Sequence, residues 1–226
     1  MKIAYENYNI NSRKVSKNYK VCLISDLHFT KDCPFKLVNN LILKIKRTKS
    51  DLLIIAGDLI NNADNLLNEK NKEKIELLTS SLNKIMPIYF ILGNHDMFDG
   101  KYLKATDVIK YYESLEKKYK DVRFLNNSYD IFNKEIMISN FSPRWESYFE
   151  RYQSKWEDYY IKDFNKENYD LSSKYFNILA IHSPHTIYMD KVLNKLNNSL
   201  KYVDLYVAGH AHGGLIPKFL LRSGII

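Results

Sequence analysis

The sequence predicts an α/β fold, and three observations predict it. Short apolar runs recur along the chain, segments with apolar residues at helical spacing lie between several of them, and clusters of Asp, Asn and His follow the runs. Strand and helix in alternation is the pattern of a layered α/β domain. The chain has 226 residues, 45% of them hydrophobic. That is enough to bury one core, so residues 1–226 are read as a single domain and intrinsic disorder is excluded.

The elements follow in order. Residues 21–25, VCLIS, are an apolar run short enough for a buried strand. Residues 35–47 have helical spacing, and the run Lys44 to Lys49 is the solvated end of that helix, where cations complement the dipole. The next strand is 52–56, LLIIA. Residues 61–72 are the most loop-like polar stretch, and the helix expected at 69–85 stops before Pro87. A strand at 88–92, IYFIL, precedes a helix at 102–120. Further strands are expected at 135–139, 177–181 and 204–208, with a helix at 186–196. Between them, residues 142–164 place Trp145, Phe149, Tyr152, Trp156 and Tyr159 or Tyr160 at helical spacing. The first reading of this aromatic segment is a helix packed on the domain; the alternative is a cap that shapes a pocket or touches lipid.

Charge and cysteine content narrow the class. Lys and Arg number 34 against 26 Asp and Glu, a formal charge of +8. This favours anionic ligands without naming one, so nucleic acid is a secondary expectation. Two cysteines, Cys22 and Cys33, are too few for a disulfide scaffold and suit a reducing compartment. Residues 1–20 hold no signal-type apolar core and no window is apolar enough to span a membrane. The expected location is cytoplasmic, with peripheral contact at the inner face of the membrane as the alternative.

The chemistry lies in the clusters. They read Ser25-Asp26-Leu27-His28, Gly57-Asp58, Gly93-Asn94-His95-Asp96, His182-Ser183-Pro184-His185 and Gly209-His210-Ala211-His212-Gly213-Gly214, and they contain all 6 histidines of the chain. Ligands of α/β sheets bind beyond the carboxyl ends of strands, so clusters distant in sequence can converge there. Carboxylate, imidazole and amide together suit manganese, iron, zinc or cobalt better than calcium or magnesium. Asp26 with His28, and His210 with His212, stand two apart, a spacing that can aim both at one side of a strand end. Asp58 follows a glycine that allows close backbone approach and can offer its two oxygens to two ions. Alone, Asp26 or Asp58 would read as a helix N-cap and His182 as a satisfied buried histidine; in company the ligand reading wins.

The ordered set D-x-H, G-D, G-N-H-D, H and G-H-x-H, from Asp26 to His212, resembles the signature of the calcineurin-like metallophosphoesterase superfamily. The resemblance implies a four-layer α/β/β/α sandwich of two mixed sheets, in which 142–164, on the alternative reading above, would be a helical cap insertion. It implies two divalent ions, manganese or iron first and zinc or cobalt next. Asp26, His28, Asp58 and His212 are the implied ligands of one ion, Asp58, Asn94, His182 and His210 those of the other, and Asp58 bridges. The implied reaction is attack on phosphorus by a metal-bridging water or hydroxide, with His95 as general acid or transition-state stabiliser. Asp58, as the bridging ligand, is the other expected catalytic residue, and Asn94 and His95 contact the substrate. Asp96 is expected to hold its loop. Gly213 and Gly214 let the backbone pass near the ions or simply form a turn. His185 is a surface or hydrogen-bonding histidine first and a substrate contact second.

Within the superfamily, Gly57-Asp58-Leu59-Ile60-Asn61-Asn62 lacks the aspartate and arginine usual in protein phosphatases. The S-D-L-H, G-N-H-D and G-H-A-H-G-G forms look more like the bacterial phosphodiesterase branch, so the expected substrate is a small-molecule, nucleotide or lipid-linked phosphoester. Rival readings are a nuclease and a metal-binding scaffold with impaired catalysis. Relatives usually continue past the last motif with further strands, whereas this sequence ends at Ile226, so a shortened second sheet is also expected.

Overall fold

The computed structural model describes residues 6–148, 158, 161, 162, 173–184 and 201–210. Four strands form the first sheet in the order β1 (Val21–Ile24), β2 (Leu52–Ala56), β3 (Ile88–Ile91) and β4 (Val122–Phe124). All are parallel, since α1 (Phe35–Thr48), α2 (Glu69–Leu82) and α3 (Ala105–Lys118) each return the chain to the same end. The second sheet runs β5 (Tyr129–Phe132), β6 (Ile136–Asn140), β7 (Phe176–Ile181), β8 (Val203–Ala208). Here β5 and β6 are antiparallel and the other pairs parallel. Among the described residues only this sheet is mixed. The described strands of the first sheet are all parallel because a helical crossover precedes each later one.

Period-two alternation divides the core. In β2, Leu53 and Ile55 join Val38, Leu41, Ile42 and Ile45 of α1, Ile75 and Leu78 of α2 and Val108 and Leu115 of α3. Leu52, Ile54 and Ala56 turn the other way and pack on Ile136, Ile138, Ile178 and Ala180 of the second sheet. Its outward residues Met137, Leu179 and Ile181 are buried too, so the central strands β6 and β7 are covered on both faces. In α1 the buried positions 38, 41, 42 and 45 trace the i, i+3, i+4, i+7 stripe of a helix with one apolar face.

Several boundaries differ from those expected. The polar stretch 61–72 is ordered into a 3-10 turn, Ala63–Leu67, and the start of α2, capped by Asn68, which accepts from the Lys70 N–H at 3.0 Å. The helix expected at 102–120 begins at Ala105, because Asp64 takes the N–H groups of Lys101, Tyr102 and Leu103 and holds them as a loop. Strands β4 and β5 are absent from the sequence reading: VRF and YDIF are too short and too polar to stand out. Of the aromatic segment, Trp145–Tyr148 is a 3-10 turn. Phe149, Tyr152, Trp156, Tyr159, Tyr160 and the helix at 186–196 lie outside the described residues. Among those described, no helix is long and apolar enough to cross a membrane.

Candidate metal centre

Parallel pairing sets the ends of β1, β2 and β3 side by side, and the backbone extends that pairing into the loops. Asp26 N–H donates to Gly57 O at 3.1 Å, His28 N–H to Asp58 O at 2.9 Å and Phe29 N–H to Leu59 O at 2.7 Å. Asp26, His28, Asp58 and His210 all have positive φ, between 44° and 67°. The i, i+2 spacing thus acts through left-handed backbone and not through strand alternation; Asp and His tolerate that region better than most residues. Such conformations cost energy and concentrate at functional sites. Gly57, φ 83°, has no alternative: a Cβ there would lie 2.5 Å from Gly93 N and 2.7 Å from His182 Nδ1.

The second sheet closes the site. His182 follows β7, which lies across from β2, and its Nδ1–H donates to Ala56 O at 2.8 Å. A carbonyl only accepts, so the proton sits on Nδ1 and the Nε2 lone pair faces inward. It meets Asp58 Oδ2 at 3.1 Å, Asn94 Oδ1 at 3.0 Å and His210 Nδ1 at 3.2 Å. Asn94 Oδ1 is in turn 2.9 Å from His210 Nδ1. Lone-pair atoms this close need a cation between them, either a proton or a metal. The ring of Tyr148, centred 6.1 Å from that of His210 and 6.4 Å from that of His182, stands beside this group.

Electrostatics agree. Burial opposes ionisation of Asp58, yet the hydrogen bond and charge of His182 and the His95 N–H outweigh it and hold the carboxyl below its ordinary range. Burial likewise opposes protonation of His182, but Asp58 overrides it and the imidazole is raised. Burial, and then the Asp58 charge, pushes Asp96 up to about 6. The donors on Asp96 hold it down: Asp58 N–H at 2.7 Å, Gly93 N–H at 2.9 Å and Tyr112 O–H at 2.9 Å. It stays ionised at neutral pH and fixes its loop.

Two groups of donors could each hold an ion: His28, Asp58 and His95, and Asp58, His182 and His210. They share Asp58. The second group, with Asn94, brings together all the residues expected at one ion. In the first, His28 Nε2 is 3.8 Å from Asp58 Oδ2, and Asp26 is tied to the second sheet by the His210 N–H at 3.0 and 3.1 Å. His95 stacks edge-on against His28, centroids 4.7 Å apart, and its Nδ1–H donates to Asn61 O at 2.9 Å. The donor set fits divalent transition metals: imidazole, carboxylate and amide, with backbone carbonyls fixing the tautomers of two rings. His185, His212, Gly213 and Gly214 lie outside the described residues. Sequence reasoning missed Asn61, Tyr112 and Tyr148. Asn61 acts through its backbone, and Tyr112 has the pattern of any core aromatic on a helix.

A model of the family described as calcineurin-like phosphoesterase matches residues 19–214. The chain belongs to this family. Proteins similar to it include an uncharacterized metallophosphoesterase of Campylobacter jejuni, 22% identical over 225 residues, which are 98% of this chain and 52% of that protein. YkuE of Bacillus subtilis, also an uncharacterized metallophosphoesterase, is 26% identical over 88% of this chain and 59% of its own length. The chain thus spans about half the length of these relatives. TT1561 of Thermus thermophilus superposes with a TM-score of 0.53 at 10% identity, over 84% of this chain and 81% of its own, and shares the fold.

Proposed function

We propose that this chain hydrolyses a phosphoester with two divalent ions, that the reaction is preferentially a diester cleavage, and that manganese or iron serves before zinc or cobalt. The observation that carries the reading is the position of Asp58, buried between two donor groups that both use its carboxylate. In the proposal Asp26, His28, Asp58 and His212 hold one ion, and Asp58, Asn94, His182 and His210 hold the other. When bound, the ions would make water nucleophilic near neutral pH and accept the phosphoryl oxygens. Asn94 and His95 bind and orient the ester. His95, its Nδ1–H fixed on Asn61 O, directs Nε2 at the departing oxygen and gives it the second proton of the doubly protonated ring, which is left as the neutral Nδ1–H form.

Preference for a diester rests on the loop after β2. Where a phosphatase would place a cation to meet the second charge of a monoester, this loop carries Asn61 and Asn62. A phosphoester partner of small-molecule, nucleotide or lipid-linked type fits the site's chemistry, and free Cys22 and Cys33 fit a reducing, cytoplasmic setting.

The test is turnover of aryl phosphate mono- and diesters by protein reloaded with manganese or iron. The expected result is metal-dependent hydrolysis, faster on the diester, that Asp58→Ala reduces at least about a thousandfold, as loss of a metal-bridging ligand should. Equal rates for wild type and Asp58→Ala would refute it.

A further inference from the structure

The loop after β2 holds a device that the signature motifs do not contain. His95 is aimed by a backbone carbonyl, that of Asn61, and a carbonyl can aim a ring only if its peptide is itself fixed. The fixing comes from two side chains, those of Asp96 and Asn65. Asp96 takes the N–H groups of Asp58 at 2.7 Å and of Ile60 at 3.4 Å. Asn65 takes the next two with one oxygen: its Oδ1 accepts from Asn61 N–H at 2.8 Å and Asn62 N–H at 3.1 Å. Asn65 is anchored in turn, since its carbonyl accepts from Nδ2 of Asn71 at 3.0 Å, and Asn71 is a buried residue of α2. A continuous path of hydrogen bonds therefore runs from the buried face of α2 through Asn71, Asn65 and Asn61 to the imidazole of His95.

We propose that Asn65 is a positioning residue for His95: by holding the Asn61 peptide it keeps the Nδ1–H of the ring on the Asn61 carbonyl and so sets the direction of Nε2, the nitrogen that carries the transferable proton. The role rests on the reading of His95 as the group that serves the leaving oxygen. A polar residue in a 3-10 turn that merely capped the turn would affect stability alone. A positioning residue affects the ring and the chemical step, because misdirecting a proton donor lowers kcat while leaving the ions and the ester bound.

The experiment uses Asn65→Ala and Asn65→Asp in the full chain. Asp keeps an oxygen acceptor at the same reach, and Asn65→Leu keeps the volume without the acceptor should the Ala variant fail to fold. Two readouts are taken: the hydrogen-bonded Nδ1–H resonance of His95 by NMR, identified by its absence from His95→Gln, and kcat and KM on an aryl phosphodiester with manganese. The expected result is loss of the His95 resonance and a fall of about tenfold or more in kcat at similar KM in Asn65→Ala or Asn65→Leu, with both restored in Asn65→Asp. Persistence of the resonance without the acceptor overturns the proposal, as does its loss with kcat unchanged. A wild type without turnover on any phosphoester would instead sink the hydrolase reading, and the His95 resonance would still decide whether Asn65 fixes the ring.

Discussion

Asp96 illustrates how a residue outside the donor groups governs them. Its side chain is fully buried, and it gathers the amides of Asp58 and Gly93 and the hydroxyl of Tyr112. Tyr112→Phe removes one charge-directed donor and should cost about 1.5–3 kcal/mol in denaturant unfolding, with little change in core volume. The titration directions give a further expectation. Asp96 and His182 are both raised, so each binds its proton more tightly when folded and favours the fold at lower pH. Asp58 is lowered, so its contribution disappears only as pH falls below the ordinary carboxylate range. Metal-free protein should therefore melt at a lower temperature at about pH 8 than at about pH 5. Manganese should shrink or reverse that difference, since the ion takes the place of the protons. An unchanged difference would mean that the ion does not enter among these groups. At this scale the motif residues Asp26, His28, Asp58, Asn94, His95, His182 and His210 were legible because only a few residue types carry such chemistry. Asn65 and Tyr112 were not, because a turn asparagine and a helix tyrosine have commoner uses.

Elements set the distances between these residues. The ends of β2 and β3 approach so closely that Gly57 and Gly93 leave no room for a side chain. Gly57→Ala combines a left-handed backbone with a collision against Gly93 and His182. It should destabilise by about 3 kcal/mol or more, seen as a lowered melting temperature, and should also weaken metal binding. α2 reaches the same end of the sheet through Lys74, whose buried side chain places Nζ 2.6 Å from Thr30 O in the loop that follows His28. Lys74→Met leaves that carbonyl unmet and should cost about 1–3 kcal/mol. A melting temperature equal to wild type would show that water or another group replaces the contact. The buried strands were readable because β2, β3 and β7 are nearly unbroken apolar runs. The reach of α3 was not, because Asp64, distant in sequence, converts residues 101–103 from a helical turn into a loop.

At the scale of the molecule, two sheets pack face to face so that the carboxyl ends of β1, β2, β3, β7 and β8 open on one edge. Alternation of strand and helix announces an α/β domain. The pairing of two sheets comes from side chains that look alike on either face of β2, and apolar pattern alone cannot say whether Leu52 or Leu53 meets helix or sheet. Resemblance of the motifs supplied what periodicity could not. Everything in the functional account depends on donors from both sheets sharing a pair of cations around Asp58. The direct measurement is anomalous diffraction, with metal content by elemental analysis, from crystals of manganese-loaded protein. The account predicts two ions about 3.5–4 Å apart with Asp58 between them. A well-ordered, metal-supplemented structure with no ion there, or with the Asp58 and His182 side chains directed away from each other, would contradict it.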